Sequence, residues 1–157
     1  MNDQQQHYLT SEGAAKLKVE LVQLKGPARN DLAQRLRSAI QMGDLSENAD
    51  YHKAKEDQAF LEGRIQELEY LLKNATIIAE STGPHAVVEI GARVTVQEED
   101  FDPESYKLVG AKEADPRNGK ISNESPIGRA LLGHRPGEVV DVQTPGGLLR
   151  LKITQIE

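Results

Sequence analysis

The chain has 157 residues, enough for one ordinary domain or two small ones. Hydrophobic residues make up 38%, aromatic residues 4% and charged residues 28%, which favours an elongated, well-solvated helical part over one compact globule. The absence of cysteine excludes disulfides, thiol catalysis and cysteine-based zinc sites. The formal net charge is −6 and neither half of the chain has a basic excess, so autonomous binding of duplex DNA is not expected.

Location is predicted from what the sequence lacks. The N-terminal stretch MNDQQQHYLT has no basic start and no apolar run, so it is not a secretory signal. No run of about 18 apolar residues is long enough to cross a membrane. We therefore expect a cytoplasmic protein with no membrane partner.

Two apolar seams with helical spacing dominate the first half of the chain and predict an antiparallel coiled-coil hairpin over residues 1–79. In such a hairpin, the residue numbers of facing pairs add up to a constant. Three pairs near the turn share one total, and five pairs further away share a total lower by one. The facing pairs are Ala39–Tyr51, Leu36–Ala54, Leu32–Gln58, Ala28–Leu61, Leu24–Ile65, Leu21–Leu68, Leu17–Leu72 and Ala14–Ala75.

The ends of the hairpin arms carry their own signals. Thr10 is a suitable N-cap for the first helix, and Gly43 is a suitable terminator. Each arm should be roughly 45 Å long. Gly26-Pro27 predicts a kink in the first helix, because proline lacks an amide donor and disfavours helix at the residue before it.

The second half, residues 80–157, predicts a small α+β domain. Its first residues, ESTGP (Glu80–Pro84), are typical of a linker. Ser125 should cap a short helix that has Pro126 at its first position and ends at Gly133. Thr144–Gly147 (TPGG) should form a hairpin turn. Four β-branched segments predict strands: RVTVQE, YKLVG, EVVDV and LLRLKITQI.

The stretch GDLSEN between the two long helices admits two interpretations. Asp44 and Glu47 have the spacing of a capping box, in which Asp44 accepts from the amide of Glu47 and Glu47 reaches back to the amide of Asp44. Alternatively, the two carboxylates could complete a Mg²⁺ site inside another macromolecule, since Mg²⁺ commonly takes one or two carboxylates and fills its other positions with water and phosphate. The two interpretations are compatible.

Basic residues near the turn could contact a single-stranded nucleic acid end. Arg37 and Lys53 should lie at matching heights beside the seam, with Lys55 close by. Ordinary solvated coiled-coil charges explain them equally well. We interpret His52 as a surface residue, because no second histidine or cysteine stands at ligand spacing.

Five stretches together resemble the bacterial Gre transcript cleavage factors, most of all their GreA type. They are LTSEGAAKL, GDLSENADYHKAKEDQAFLEGRIQELE, LVGAKEAD, ISNESPIGRALLG and TPGG. The resemblance implies an FKBP-like C-terminal domain that docks on RNA polymerase beside its secondary channel. It also implies that the coiled coil enters this channel, where the polymerase cleaves backtracked RNA at the nascent 3′ end.

The resemblance also implies roles for individual residues. Asp44 and Glu47 match the acidic pair that helps to hold a Mg²⁺ ion shared with the polymerase active site; no cofactor is expected on the chain alone. Ile40 stands where many relatives carry a basic residue, and Pro27 precedes the usual position of the helix-one proline. The matching tip-support residues are Leu45, Ser46, Asn48 and Tyr51. The matching docking residues are Ser122, Ser125 and Pro126.

Three rival functions differ in what they require. A channel-binding inhibitor without cleavage activity should crowd further acids at the turn, and GDLSEN does not. A prolyl isomerase needs several pocket aromatics, whereas the C-terminal half has only Phe101 and Tyr106. A structural coiled-coil adaptor would use the acids as caps alone. No complete set of catalytic groups appears in the chain, so we do not expect an independent nuclease.

Overall fold

The computed structural model describes residues 6–80 and 83–157, which fall into two compact units. One unit is Ala14–Asn74, and the other combines Ala75–Glu157 with the described residues before Ala14. The predicted division at residues 79 and 80 stays a prediction. The predicted linker Glu80–Pro84 lies partly outside the described residues, because it includes positions 81 and 82. Within the described residues, no helix is long and apolar enough to cross a membrane.

The first unit is built from two long helical arms. The first arm consists of α1 (Ser11–Gln23), a π-helical turn (Leu24–Ala28) and α2 (Arg29–Gln41). The second arm is one helix, α3 (Ala49–Asn74). Several predicted seam residues are buried, and the apolar periodicity is thereby confirmed at those positions. They are Ala14, Leu32, Ala39, Ala54, Ile65 and Leu68.

One seam position differs from the prediction. Leu71, which is 2% exposed, is buried, whereas the predicted Leu72 is only partly buried. Adjacent residues on a helix point about 100° apart, so at this end of α3 the buried stripe has shifted by one residue. Ion pairs between the arms accompany the seam: Glu20–Arg64, Lys25–Glu69, Arg29–Glu62 and Arg35–Asp57.

The irregularity predicted at Gly26-Pro27 takes the form of the π-helical turn. Pro27 lies inside it, and the amide of Arg29 donates to the carbonyls of both Leu24 and Gly26. A wide turn tolerates the missing proline donor, because the hydrogen-bond ladder is already interrupted there. The helix therefore continues past Pro27.

The second unit contains a five-stranded sheet whose strands lie in the order β5 (Lys120–Ser122), β4 (Glu104–Val109), β3 (Arg93–Glu98), β7 (Gly147–Ile156) and β6 (Val139–Thr144). All neighbouring pairs are antiparallel except β4 with β5, which is parallel. The predicted strands are confirmed, and with the helical hairpin they confirm the α+β fold class.

One face of the sheet forms the core of this unit with the short helix α4 (Pro126–Leu131). Val94 and Val96 alternate inward along β3, as a half-buried strand requires. Ser125 caps α4, because its hydroxyl accepts from the amide of Gly128 at 3.0 Å. Gly133 has φ 79°, so the predicted cap and terminator of this helix are both confirmed. Thr144 pairs with Gly147 across the predicted TPGG turn.

A short parallel pair was absent from the prediction. β1 (Tyr8–Thr10) pairs with β2 (Thr76–Ile78), so the residues before and after the helical arms lie side by side. Each strand has three residues, which is too short for an alternating pattern to stand out in the sequence.

The start of α1 is tied to β1 and to the turn Ala111–Glu113 by a carboxylate. Thr10 is 1% exposed; its amide donates to Glu113 Oε2 at 2.7 Å and its hydroxyl to Glu113 Oε1 at 2.6 Å. The same hydroxyl accepts from the amide of Gly13 at 3.0 Å, which confirms Thr10 as the N-cap. A Cβ on Gly13 would lie 1.8 Å from Glu113 Oε1, so any larger residue there would force the Glu113 carboxylate to move. We call Thr10, Gly13 and Glu113 the root cluster.

Candidate functional site: the hairpin turn

The turn between α2 and α3 consists of residues 42–48. Gly43 has φ 117°, a conformation that glycine adopts readily, and the predicted end of the first arm is confirmed there. Residues 42–47 are all exposed and Asn48 is half-buried. The turn therefore presents its side chains to solvent. We call residues 42–48 the tip.

Among the described residues, Ser46 alone holds the Asp44 side chain by hydrogen bonds. Asp44 Oδ1 accepts from the Ser46 hydroxyl at 2.8 Å and from the Ser46 amide at 3.0 Å. The hydroxyl bond, and after it the amide bond, lowers the pKa of the Asp44 carboxyl below its usual value, because both donors favour the charged form. Asp44 is thus ionised at neutral pH.

The proposed capping box is not formed. Asp44 bonds Ser46 in an Asx-type turn, and the N-cap of α3 is Asn48, whose Oδ1 accepts from the amide of Tyr51 at 3.0 Å. The helix starts four residues later than a box beginning at Asp44 would require, at Ala49. Asn48 is itself a preferred N-cap residue type, a signal that the prediction overlooked.

The Glu47 side chain makes no hydrogen bond or ion pair with any described residue, and it is exposed. A helix N-terminus favours a negative charge nearby, so the first turn of α3 tolerates this carboxylate without a specific partner. Both tip carboxylates therefore have oxygens that remain available to a ligand.

Asn48 joins the two arms. Besides capping α3 through Oδ1, it donates from Nδ2 to the carbonyl of Ala39 at 2.7 Å. That carbonyl lies in the last turn of α2, where it also accepts from the amide of Met42 at 3.1 Å. A single side chain thus links the end of one helix to the start of the next.

Tyr51 and His52 lie in the first turn of α3 and support the tip from one side. His52 Nε2 lies 3.2 Å from the carbonyl oxygen of Ser46. The two rings meet edge-on, with centroids 5.6 Å apart and planes at 67°. Tyr51 is half-buried and Leu45 is 39% exposed. The sequence interpretation of His52 as a surface residue holds for its exposure, but the contact with Ser46 was not predicted.

The three basic residues near the tip differ in how they are engaged. Lys53 forms ion pairs with Glu56 and Asp57, each at 3.2 Å, and the hydrogen bonds raise the pKa of the Lys53 ammonium. Lys55 donates to Gln58 at 3.1 Å. Arg37 is exposed and makes no side-chain bond within the described residues. Arg37 is therefore the most available of the three cations.

Ile40, at the position where the family resemblance predicts a basic residue, has an apolar side chain that faces solvent. Ile40 is 51% exposed, and Met42 beside it is 68% exposed. The acids of this tip are therefore flanked by apolar rather than basic neighbours on the α2 side.

The predicted docking residues lie around the start of α4. The Ser125 hydroxyl donates to the carbonyl of Ser122 at 2.7 Å while it caps the helix, and the Ser122 hydroxyl accepts from the amide of Glu124 at 3.0 Å. Pro126 is exposed. The two serines thus hold the backbone of this segment, and the exposed Pro126 ring is accessible to a partner.

The two aromatic residues of the C-terminal half lie in one small cavity of about 100 Å³, which they line with Ile127 and Leu149. Burial, reinforced by a hydrogen bond to Glu104, raises the pKa of Tyr106 to about 12. Phe101 is 64% exposed, so it borders the cavity rather than closing it.

Two family models together match almost the whole chain. The model described as "Transcription elongation factor, N-terminal" matches residues 7–77, and the one described as "Transcription elongation factor, GreA/GreB, C-term" matches residues 83–157. Both halves of the sequence, including the tip, therefore fall inside one family.

Full-length relatives agree with the family models. Transcription elongation factor GreA of Clostridium botulinum is 46% identical over 100% of this chain and 99% of the relative. That of Halalkalibacterium halodurans is 47% identical over 99% of each chain. Among solved structures, GreA factor homolog 1 of Thermus thermophilus is 28% identical, covers 98% of this chain and 99% of that one, and has a TM-score of 0.43. On the strength of the family models and the two full-length relatives, this chain belongs to the GreA/GreB family of transcription elongation factors.

Proposed function

We propose that this chain acts on RNA polymerase, entering its secondary channel with the tip and stimulating the polymerase's own cleavage of backtracked RNA 3′ ends. The observation that carries the proposal is the state of the two tip carboxylates. Asp44 keeps Oδ2 without a partner among the described residues, and Glu47 has none at all. Carboxylates that only capped a helix would be engaged with its amides.

The donor set fits Mg²⁺ shared with another macromolecule. Asp44 and Glu47 would supply carboxylate oxygens, the ligand type that Mg²⁺ prefers. When bound, Mg²⁺ would supply charge neutralisation and an activated water at the phosphodiester. No group of three or more histidine, aspartate or glutamate side chains within residues 6–80 and 83–157 could hold a metal ion. We therefore assign the remaining ligands to the polymerase, and we do not propose an independent nuclease.

The tip residues around the acids would keep them in place during cleavage. Ser46 fixes one oxygen of Asp44, and Asn48 links the two helix ends from which the tip extends. Leu45 and Tyr51 would pack beside the acids. These residues support the geometry and do not touch the reacting atoms.

Contact with the RNA falls mainly to Arg37 in this proposal. Its guanidinium has no intramolecular partner in the described part of the chain, so binding a phosphate breaks no ion pair. Lys53 and Lys55 would first have to leave Asp57, Glu56 and Gln58. The segment with Ser122, Ser125 and Pro126 would dock on the polymerase, and the protein would act in the cytoplasm, where bacterial transcription takes place.

Stalled, backtracked RNA polymerase provides the test. Wild type, Asp44→Asn and Glu47→Gln are compared for release of short 3′ RNA fragments and, separately, for binding to the polymerase. We expect wild type to accelerate cleavage, and both variants to bind equally well without accelerating it. Equal acceleration by all three proteins would contradict the proposal, as would fragment release from free RNA by the factor and Mg²⁺ alone.

A further inference from the structure

A chain of hydrogen bonds runs from α3 to the Asp44 carboxylate through Ser46. His52 Nε2 lies 3.2 Å from the Ser46 carbonyl oxygen, and the Ser46 hydroxyl and amide lie 2.8 and 3.0 Å from Asp44 Oδ1. Ser46 is therefore bonded on both sides, by its carbonyl to the helix and by its donors to the acid.

The direction of each bond follows from the atoms involved. A carbonyl oxygen can only accept, so His52 Nε2 carries the proton and donates. Both Ser46 donors point at the same Asp44 oxygen, Oδ1, and Oδ2 has no partner among the described residues. The Ser46 contacts thus determine which oxygen of Asp44 faces a ligand.

Apart from these bonds to Asp44 and His52, Ser46 makes no hydrogen bond with a described residue. Residues 42–47 are all exposed, so burial does not order them. His52, by contrast, stands on a helix whose N-cap is bonded to both arms, and its ring lies edge-on to half-buried Tyr51. His52 is therefore already held in place by α3, and its bond to the Ser46 carbonyl orders Ser46.

We propose that His52 is a positioning residue that, through Ser46, turns Asp44 so that Oδ2 is presented to the metal-bearing active site of the polymerase. The proposal rests on the proposed function, because it assumes that Asp44 donates to a shared Mg²⁺. It assigns a role to a histidine that is neither a metal ligand nor in contact with the acid itself.

Two substitutions at this position separate the hydrogen bond from the bulk of the ring. His52→Leu removes the donor. His52→Gln keeps one, because the glutamine Nε2 lies the same number of bonds from Cα as the imidazole Nε2. Gln66→Leu, at an exposed position further along α3, is the control for placing a leucine on this helix.

Amide hydrogen exchange of the free factor, followed by NMR, is the first measurement. Loss of one neutral hydrogen bond should speed exchange of the Ser46 amide about fivefold in His52→Leu. His52→Gln and Gln66→Leu should stay close to wild type. An unchanged Ser46 exchange rate in His52→Leu would overturn the proposal without any use of polymerase.

The Mg²⁺ dependence of cleavage in backtracked complexes is the second measurement, made at saturating factor. His52→Leu should raise the half-saturating Mg²⁺ concentration about fivefold and leave polymerase binding unchanged, and His52→Gln should restore the wild-type value. An unaltered Mg²⁺ dependence in His52→Leu would contradict a positioning role. A variant whose only defect is weaker polymerase binding would contradict it as well. If wild type itself does not stimulate cleavage, the proposed function is wrong, and the exchange measurement alone decides whether His52 orders Ser46.

Discussion

The root cluster and the tip both contain carboxylates, but these carboxylates differ in how many of their oxygens accept hydrogen bonds. At the root, both oxygens of the Glu113 carboxylate accept from Thr10, which is 1% exposed. At the tip, Asp44 bonds other described residues through one oxygen, Glu47 through none, and both residues are exposed. Carboxylates whose oxygens are all engaged stabilise a fold, whereas those left unengaged are available for a ligand. The difference assigns Glu113 a structural role and leaves Asp44 and Glu47 with oxygens available for the proposed function.

Replacing the carboxylates one at a time should give the largest effects on cleavage and on stability. Asp44→Asn should lower stimulated cleavage about 100-fold, since a neutral amide is a poor replacement for a charged ligand in the reacting complex. Its melting temperature should stay within about 2 °C of wild type, because the side chain is exposed.

Glu113→Ala should show the reverse pattern. It leaves the buried Thr10 amide and hydroxyl without their acceptor, which should lower the free energy of unfolding by about 2 kcal/mol or more. Cleavage per folded molecule should be retained. Urea unfolding and the cleavage assay on the same preparations check both variants. Loss of cleavage in a stable, fully folded Glu113→Ala protein would contradict a purely structural role for Glu113.

Two glycine-to-alanine substitutions test the packing of the root cluster through their effects on the free energy of unfolding. Gly13→Ala places a Cβ 1.8 Å from Glu113 Oε1 and should cost about 1–3 kcal/mol, because the carboxylate must move away from Thr10. Gly63→Ala, in α3, meets nothing within 4 Å and should stabilise by about 0.5–1 kcal/mol through helix propensity. Denaturant midpoints of the two variants should therefore move in opposite directions, and a shared direction would argue against a tightly packed root.

Asn48 should give an intermediate effect, because it is structural and lies at the tip. Asn48→Ala removes the N-cap of α3 and the bond to Ala39, at a cost of about 1–2 kcal/mol. Asn48→Asp keeps the cap but loses the Nδ2 donor, so we expect a smaller loss. Thermal unfolding distinguishes the two variants, and equal stability of both would show that the bond to Ala39 contributes nothing.

The smallest effect concerns the ionisation of Asp44. The Ser46 hydroxyl and amide lower the pKa of its carboxyl, so this pKa in wild type should lie below the usual aspartate value. The lowered pKa contributes stability above the unfolded-state pKa, and that contribution is lost as the pH falls through the folded value. Ser46→Ala should raise the pKa toward normal. Carboxyl ¹³C NMR titration follows this directly, and an identical pKa in both proteins would exclude the hydroxyl bond.

Much of the fold was predictable because it rests on periodic patterns. The heptad-like seams predicted the arms, and β-branched segments predicted the long strands. The strands β1 and β2 were not predictable, since each has three residues and its partner is far away in sequence. Leu71 replaced Leu72 as the buried residue for a similar reason, because a one-residue shift is not visible in a continuous leucine pair.

At the tip, residue types were easier to predict than bonds. Family resemblance selected Asp44 and Glu47, but the spacing Asp-x-x-Glu suggested a cap that Asn48 in fact provides. Both stretches satisfy the capping pattern, and only backbone geometry decides between them. The contacts of Ser46 with Asp44 and His52 depend on the path of an exposed turn, which no periodicity encodes. The partner of Glu113 was hidden in the same way, because Thr10 lies about a hundred residues away.

A competition experiment tests the central claim most directly. The double variant Asp44→Asn/Glu47→Gln is added in increasing amounts to stalled polymerase already stimulated by wild type, and fragment release is followed. If the tip acids serve cleavage and leave docking intact, the double variant should occupy the polymerase and suppress stimulation in proportion to its share of total factor. Stimulation by the double variant itself, or a failure to compete at any excess, would contradict the account.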